Sequence, residues 1–429
     1  MTEHETGRYC HELARELFPI SRSLSGPGVR ETLEILRREL PELQVHEIAS
    51  GSPVFDWEVP DEWVIRDAYI ADVTGERVVD FKAHNLHVLG YSEPVDVKLT
   101  REELEPHLYS DPEQPDWIPY VTSYYKRRWG FCLSHRQREQ LGEGPFRCVV
   151  DADLGPGVLN YADLVIPGDT DREVLLSTYV CHPSMGNNEL SGPVVTTALA
   201  RWIKGLPSRR HTYRIVFIPE TIGSLIYLSR HLDVMKARTV AGFVVTCVGD
   251  DRAFSYVPSR RGDTLADRAA IRSLGQIDPS FIRYSWRDRG SDERQYCAPG
   301  VDLPVATIAR SKYGEYPEYH TSADDLSLIS PAGLQGGFDA LRGAIETIES
   351  NARLRTTVLG EPQLGKRGLY PTTSMKGSYG DVRLMMDLIS YCDGEHSLLD
   401  IAEMVGVSVK TLREIARPLI ANGLLSEEG

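Results

Sequence analysis

Three short segments of this chain set histidines and carboxylates at the ends of apolar runs. In the first, Glu173 to Val180 reads as a buried strand that leads through Cys181 to His182. A polar loop follows (Pro-Ser-Met-Gly-Asn-Asn-Glu-Leu), and Ser191-Gly192 then opens an apolar helix. Glu189 is the loop's sole carboxylate. In the second segment, Ile215 to Ser224, Glu220 follows an apolar run and a proline. In the third, Tyr316 to Asp325, His320 sits in a loop ahead of a helix. Ligands of open α/β sheets sit where strands end and helices begin. Zinc takes histidine nitrogen and carboxylate oxygen, and a catalytic site leaves one position for water. The ion lowers the pKa of that water and polarises a carbonyl. A nearby glutamate can take the proton and pass it to the leaving amine. His182, Glu189 and His320 are therefore the expected ligands of one zinc ion, and Glu220 the expected catalytic base. Asp250, directly after the apolar run Val245–Gly249, is the alternative third ligand.

In this order the three segments resemble the co-catalytic zinc aminopeptidase family, which includes the glutaminyl cyclases. The whole chain is similar to bacterial aminopeptidase-like proteins that carry an inserted domain and a C-terminal winged helix. The peptidase-like part covers about half of the chain. The resemblance aligns His182 with the first zinc histidine, His320 with the last, and Glu220 with the general base. It also shows departures. Asn188 stands where the family has its bridging aspartate, and Thr221 where it has a second glutamate. One zinc is expected rather than two. Arg289–Cys297 resembles a cleft-lining Ser-Asp-His segment, with Glu293 in place of the histidine. There Asp292 would ligate metal or orient a ligand. Arg260 matches the planar geometry of a substrate carboxylate, and Tyr313 and Tyr319 would form a cleft wall.

Bulk properties narrow the function classes. The 429 residues suffice for two or three domains with a substantial core. A net charge of −15 disfavours binding by phosphate neutralisation and attraction to anionic membranes. No apolar run is long enough to span a bilayer, and the polar start lacks a signal-peptide core. The seven cysteines are scattered without a C-x-x-C pair. They read as buried free thiols, and the expected location is cytoplasmic.

The elements that must position the site follow from periodicity. Strands at 173–180, 213–218, 241–248 and 303–309 alternate with helices at 191–204, 222–236, 263–274 and 331–350. That pattern predicts a mostly parallel α/β sheet with helices on both faces. Residues 1–54 and 131–355 are assigned to it, with a strand at 43–48. Residues 55–130, rich in aromatics and short alternating runs, are read as an inserted β-rich domain roofing the cleft. Arg147–Asp153 and Gly157–Pro167 are expected to pair as strands leading back to the main sheet. A linker at 356–376 precedes a winged helix at 377–429, in which Gly406 makes the turn and Ser408 caps the second helix. From Gly380 on there are four Lys/Arg against nine Asp/Glu. Nucleic-acid binding is thus not expected, and protein contact or self-association is.

The leading expectation is a zinc-dependent hydrolase of an amide bond in a peptide or aminoacyl small molecule. Two alternatives stand beside it: acyl transfer or cyclisation at one zinc, and a non-catalytic binding or regulatory protein with a degenerate peptidase domain.

Overall fold

A computed structural model describes residues 5–369 and 379–428. It divides into two compact units, Met1–Leu341 and Arg342–Gly429. The first is built on one eight-stranded sheet. Its strands are β1 (Gln44–Ala49), β2 (Val158–Ile166), β3 (Glu173–Tyr179), β4 (Thr212–Ile218), β5 (Thr239–Val245), β6 (Ser255–Val257), β7 (Ile282–Arg283) and β8 (Val305–Ala309). The spatial order is β1-β2-β4-β3-β5-β8-β6-β7. The middle four, β4, β3, β5 and β8, are mutually parallel. β1, β2 and β6 add antiparallel pairings toward the margins. Every residue of β3 and β8 is buried, as expected of parallel strands covered on both faces.

The helices between these strands are Ser191–Lys204, Ile222–Arg238 and Leu265–Ile277, and Pro331–Ser350 follows β8. Each lies within a few residues of its expected place. Gly192 lets the first of them approach the sheet. A Cβ there would lie 2.4 Å from both Thr178 Oγ1 and the Val245 carbonyl oxygen, closer than any side chain tolerates. All seven cysteines are free and buried. Among the described residues no helix is long and apolar enough to cross a membrane.

The β-rich insert forms its own antiparallel sheet from Glu62–Ala71, Arg77–Asp80, Val95–Leu99 and Phe146–Gly155. Phe146–Gly155 pairs on both of its edges within the insert, although it lies beyond the expected boundary at residue 130. It does not pair with Val158–Ile166, which enters the main sheet as β2. The chain crosses between the sheets at Gly155-Pro156-Gly157, where a residue without an N–H cannot continue a ladder.

In the second unit, Arg353–Thr356 forms the middle of a three-stranded sheet with Asp393–Ser397 and Leu425–Glu428. Sequence had placed most of that strand at the end of the α/β domain. Helices Tyr379–Tyr391, Leu398–Val405 and Val409–Ala421 complete the winged helix. Gly406 ends the middle helix in the left-handed region at φ 75°, and the Ser408 hydroxyl accepts from the Thr411 amide. Residues 370–378, which hold the end of the expected linker and the expected start of this domain, lie outside the described residues.

Candidate active site

His182 sits just past the C-terminal end of β3 and is 5% exposed. Its two ring nitrogens face different neighbours. Nδ1 lies 2.9 Å from Glu189 Oε2, which also accepts the His182 backbone N–H at 3.0 Å. Nε2 lies 3.6 Å from Glu220 Oε2. The seven-residue spacing brings Glu189 back because a short turn of π-helix at Gly186–Leu190 reverses the chain beneath the histidine. Behind Glu189 stands Arg22, with no side-chain exposure and Nε 3.4 Å from Glu189 Oε1. Arg22 also donates to the carbonyls of Leu17 at 2.7 Å and His182 at 2.9 Å. A carboxylate on Nδ1 favours the tautomer with its proton there, which leaves the Nε2 lone pair free. Burial, assisted by the Arg22 charge, pushes the His182 pKa down to about 3. Burial raises the Glu189 carboxyl against the pull of Arg22 and backbone amides.

Glu220 follows β4 and Pro219. The next residue, Thr221, takes a positive φ of 65°, a strained conformation for a β-branched residue. Asp292 secures this turn: its Oδ1 accepts the Thr221 amide and the Ser224 hydroxyl, each at 2.8 Å. The Ser291 hydroxyl donates to Glu220 Oε1 at 2.9 Å. The Glu220 side chain keeps 22% of its surface exposed, so the cleft reaches solvent at this carboxylate. Burial among protein atoms and the neighbouring Asp292 raise its pKa to about 8. Burial raises that of Asp292 to about 6.

His320, also at positive φ (57°), completes the group. Its ring centroid is 5.5 Å from that of His182. Tyr319 stacks on it at 3.9 Å. Its Nε2 is buried without a hydrogen-bond partner among the described residues. Burial and the nearby His182 bring its pKa down to about 3. The insert covers both histidines: the Tyr120 ring meets His182 at 5.3 Å and His320 at 5.1 Å, edge to face. The Tyr120 amide donates to the His320 carbonyl at 2.8 Å, and Tyr120 and Tyr124 share a hydroxyl–hydroxyl bond of 2.8 Å.

The other expected residues take varied places. Asn188 Oδ1 accepts from the Tyr179 hydroxyl at 2.9 Å, and among the described residues its buried Nδ2 has no hydrogen-bond partner. Asp250 is fully occupied in fastening loops. Its oxygens accept from Asn187 Nδ2, the Ser311 amide and hydroxyl, and the Arg252 amide. Glu293 Oε1 receives the amides of Gly290 and Ser291 and the Tyr313 hydroxyl. Glu293 and Tyr313 thus lock the turn that presents Ser291, while Tyr319 contacts His320. Arg260 pairs with Asp302, beside Arg261.

Four further residues of the site were not singled out from sequence. These are Arg22, Cys181, Tyr120 and Asp324, whose carboxylate accepts the amides of Asn187 and Asn188. An arginine in a Ser- and Gly-rich loop gives no sign of burial, and long-range partners have no sequence period. Among the described residues, Cys181, His182 and Glu189 form a group with ligand atoms within 4.8 Å of one another. The contact between Glu189 and Nδ1 within it is already at hydrogen-bond distance.

Residues 11–351 match the model of a family described as a domain of unknown function, DUF4910, and residues 352–427 match a winged helix-turn-helix model. A Clostridium acetobutylicum protein is 42% identical over 423 residues, covering 98% of this chain and 96% of that protein. Its provisional name is polysaccharide biosynthesis protein with aminopeptidase-like domain. A crystal structure from Clostridium acetobutylicum, provisionally called a peptidase, superposes with a TM-score of 0.92 at 40% identity. It covers 99% of this chain and 97% of its own. A zinc aminopeptidase from Bacillus subtilis superposes with a TM-score of 0.58 at 11% identity, over 80% of this chain and 95% of that one. At that identity the likeness is one of fold.

Proposed function

The chain belongs to the DUF4910 family and has an aminopeptidase-like fold with a C-terminal winged helix, and from that premise we propose that it is a zinc-dependent hydrolase of an amide bond. The observation that carries this reading is the pair His182 and His320. His182 is buried, His320 is half-buried, and burial holds both imidazoles neutral, with ring centroids 5.5 Å apart. Among the described residues the His320 Nε2 has no hydrogen-bond partner, and the His182 Nε2 faces Glu220 Oε2 at 3.6 Å. Two neutral imidazole edges beside carboxylates form a donor set that suits zinc.

Zinc bound by His182 and His320 would polarise an amide carbonyl, lower the pKa of a water and draw Glu220 back toward the carboxylate range. Glu189 keeps His182 in one tautomer and one orientation from the Nδ1 side, with Arg22 neutralising it. Its contact with Nδ1 argues for that role over ligation. Glu220 takes the proton of the attacking water on Oε2 and delivers it to the leaving amine. Ser291 steadies Oε1 of the same carboxylate, and Asp292 and Ser224 hold its turn. Tyr120 limits the depth of the cleft and excludes water above the histidines. Substrates are peptides or aminoacyl small molecules. The name of the Clostridium relative adds amide-bearing sugars to the first screen.

Metal analysis of untagged protein, purified without added zinc, tests this reading beside a His182→Ala/His320→Ala variant. About one zinc per chain is expected, lost in the variant. Glu220→Gln should keep the zinc and lose at least about a hundredfold in hydrolysis of aminoacyl amides. No metal in the parent protein, even with zinc supplied, would instead favour the non-catalytic binding reading, which Asn188 and Thr221 at the family's carboxylate positions already support.

A further inference from the structure

The insert carries a second cavity, of about 580 Å³, within the size range of small-molecule sites. Trp57, Glu58, Asp61, Tyr124, Tyr125 and Arg127 are among its lining residues. Trp57 and Tyr125 stand at 69° to one another with centroids 5.5 Å apart, forming an aromatic corner. Both are exposed, Trp57 by 39% and Tyr125 by 63%. Phe55, two residues before Trp57, is 55% exposed and holds a φ of 52°. These are three of the four exposed large aromatic side chains among the described residues, so their concentration on one short hairpin and one facing loop calls for a ligand. A bulky residue kept at positive φ, with its ring in water, adds a local cost that packing does not offset.

We propose that this cavity binds a neutral saccharide. Pyranose rings present an apolar face of C–H groups and a rim of hydroxyls. The aromatic corner covers the face. Asp56, Glu58 and Asp61 supply acceptors for the rim. The charge of the lining argues against an anionic ligand: three carboxylates outnumber Lys126 and Arg127, and Arg127 is already paired with Asp61 at 2.5 Å. A phosphate or acidic peptide would find no uncommitted guanidinium there. The proposal rests on this cavity alone and stands whether or not the two histidines hold zinc. Tyr124 nonetheless lines the cavity and bonds Tyr120, the residue over both histidines. A bound sugar therefore lies one side chain from the cleft.

The test uses the full-length protein, with zinc and with chelator, and a panel of cello-, malto-, manno- and N-acetylglucosamine oligomers. Saturation-transfer NMR and tryptophan fluorescence give the readout. At least one oligomer is expected to bind, equally in both conditions. Trp57→Ala and Tyr125→Ala should each weaken it about tenfold or more, and Trp57→Phe by less. Both alanine variants should melt with the parent, because the removed rings are exposed. Three results would overturn the proposal: no binding up to about 10 mM of any oligomer, binding undiminished in the Trp57→Ala/Tyr125→Ala double variant, or preferential binding of short peptides, which would give the cavity to a protein partner.

Discussion

Arg22→Met asks how strongly the site depends on a charge hidden behind it. Arg22 and Glu189 both have side chains with no solvent exposure, 3.4 Å apart. At an effective dielectric of ~20 their attraction is about 5 kcal/mol. Removing one partner of a buried pair costs about 3–5 kcal/mol, since the other must stay charged in a dry setting or give up its charge. The bonds from Arg22 to the Leu17 and His182 carbonyls are lost as well. A destabilisation of about 4 kcal/mol is expected for Arg22→Met, and about 3 kcal/mol for Glu189→Gln, where the arginine keeps its two carbonyls. The double variant removes both charges and should cost at least about 2 kcal/mol less than the sum. All six tryptophans lie between Trp57 and Trp286. Fluorescence during urea unfolding therefore reads the first unit without interference from the second. Loss of orientation at His182 should also weaken zinc by about 10–100-fold in either single variant. A cost below about 1 kcal/mol for Arg22→Met, or strict additivity in the cycle, would refute the reasoning.

Three other expectations follow from the geometry. His84 Nδ1 accepts the Leu86 amide at 3.1 Å, and burial, aided by His87, lowers its pKa from 6.5 to about 4. The unfolded chain thus binds the proton first, so this stability is present above pH 6.5 and lost as pH falls through 4. Between pH 7.5 and 5.5 the share of the loss due to His84 should be about 1 kcal/mol, read as the difference between the parent and His84→Asn in urea titrations at the two pH values. Gly192→Ala forces a Cβ against Thr178 and the Val245 carbonyl. It should destabilise the first unit by about 2–3 kcal/mol in the same fluorescence assay. Tyr120→Ala uncovers the histidines. It should leave zinc content unchanged and raise kcat/KM for bulky amides relative to small ones, a ratio that stays fixed if Tyr120 is not part of the cleft.

The α/β alternation was legible because long parallel strands must be apolar throughout and amphipathic helices must repeat at 3.6 residues. Helices 191–204 and 331–350 fall where the sequence puts them. Phe146–Gly155 was harder. Its alternating pattern suits either sheet, and only its partners, Glu62–Ala71 and Val95–Leu99, decide that it belongs to the insert. Arg353–Thr356 is four residues long and has no pattern of its own until Leu425–Glu428 arrives beside it.

The same division runs through the site. His182, Glu220 and His320 were visible because each ends an apolar run or precedes a helix, and local sequence encodes those junctions. Residue type also identified Glu189 as the loop's carboxylate. Its direction toward Nδ1 and away from the cleft was set by the turn at Gly186–Leu190 and by Arg22, about 170 positions earlier in the chain. Tyr120 over the histidines and the Trp57–Tyr125 corner likewise arise from contacts between distant segments. Sequence by itself determined which chemistry-bearing side chains stand at strand ends and loops and which elements hold them, because propensity and periodicity are local. Which edge of each side chain meets which neighbour was decided by tertiary packing alone, because burial and partner distance exist only once the sheet and its insert have closed around them.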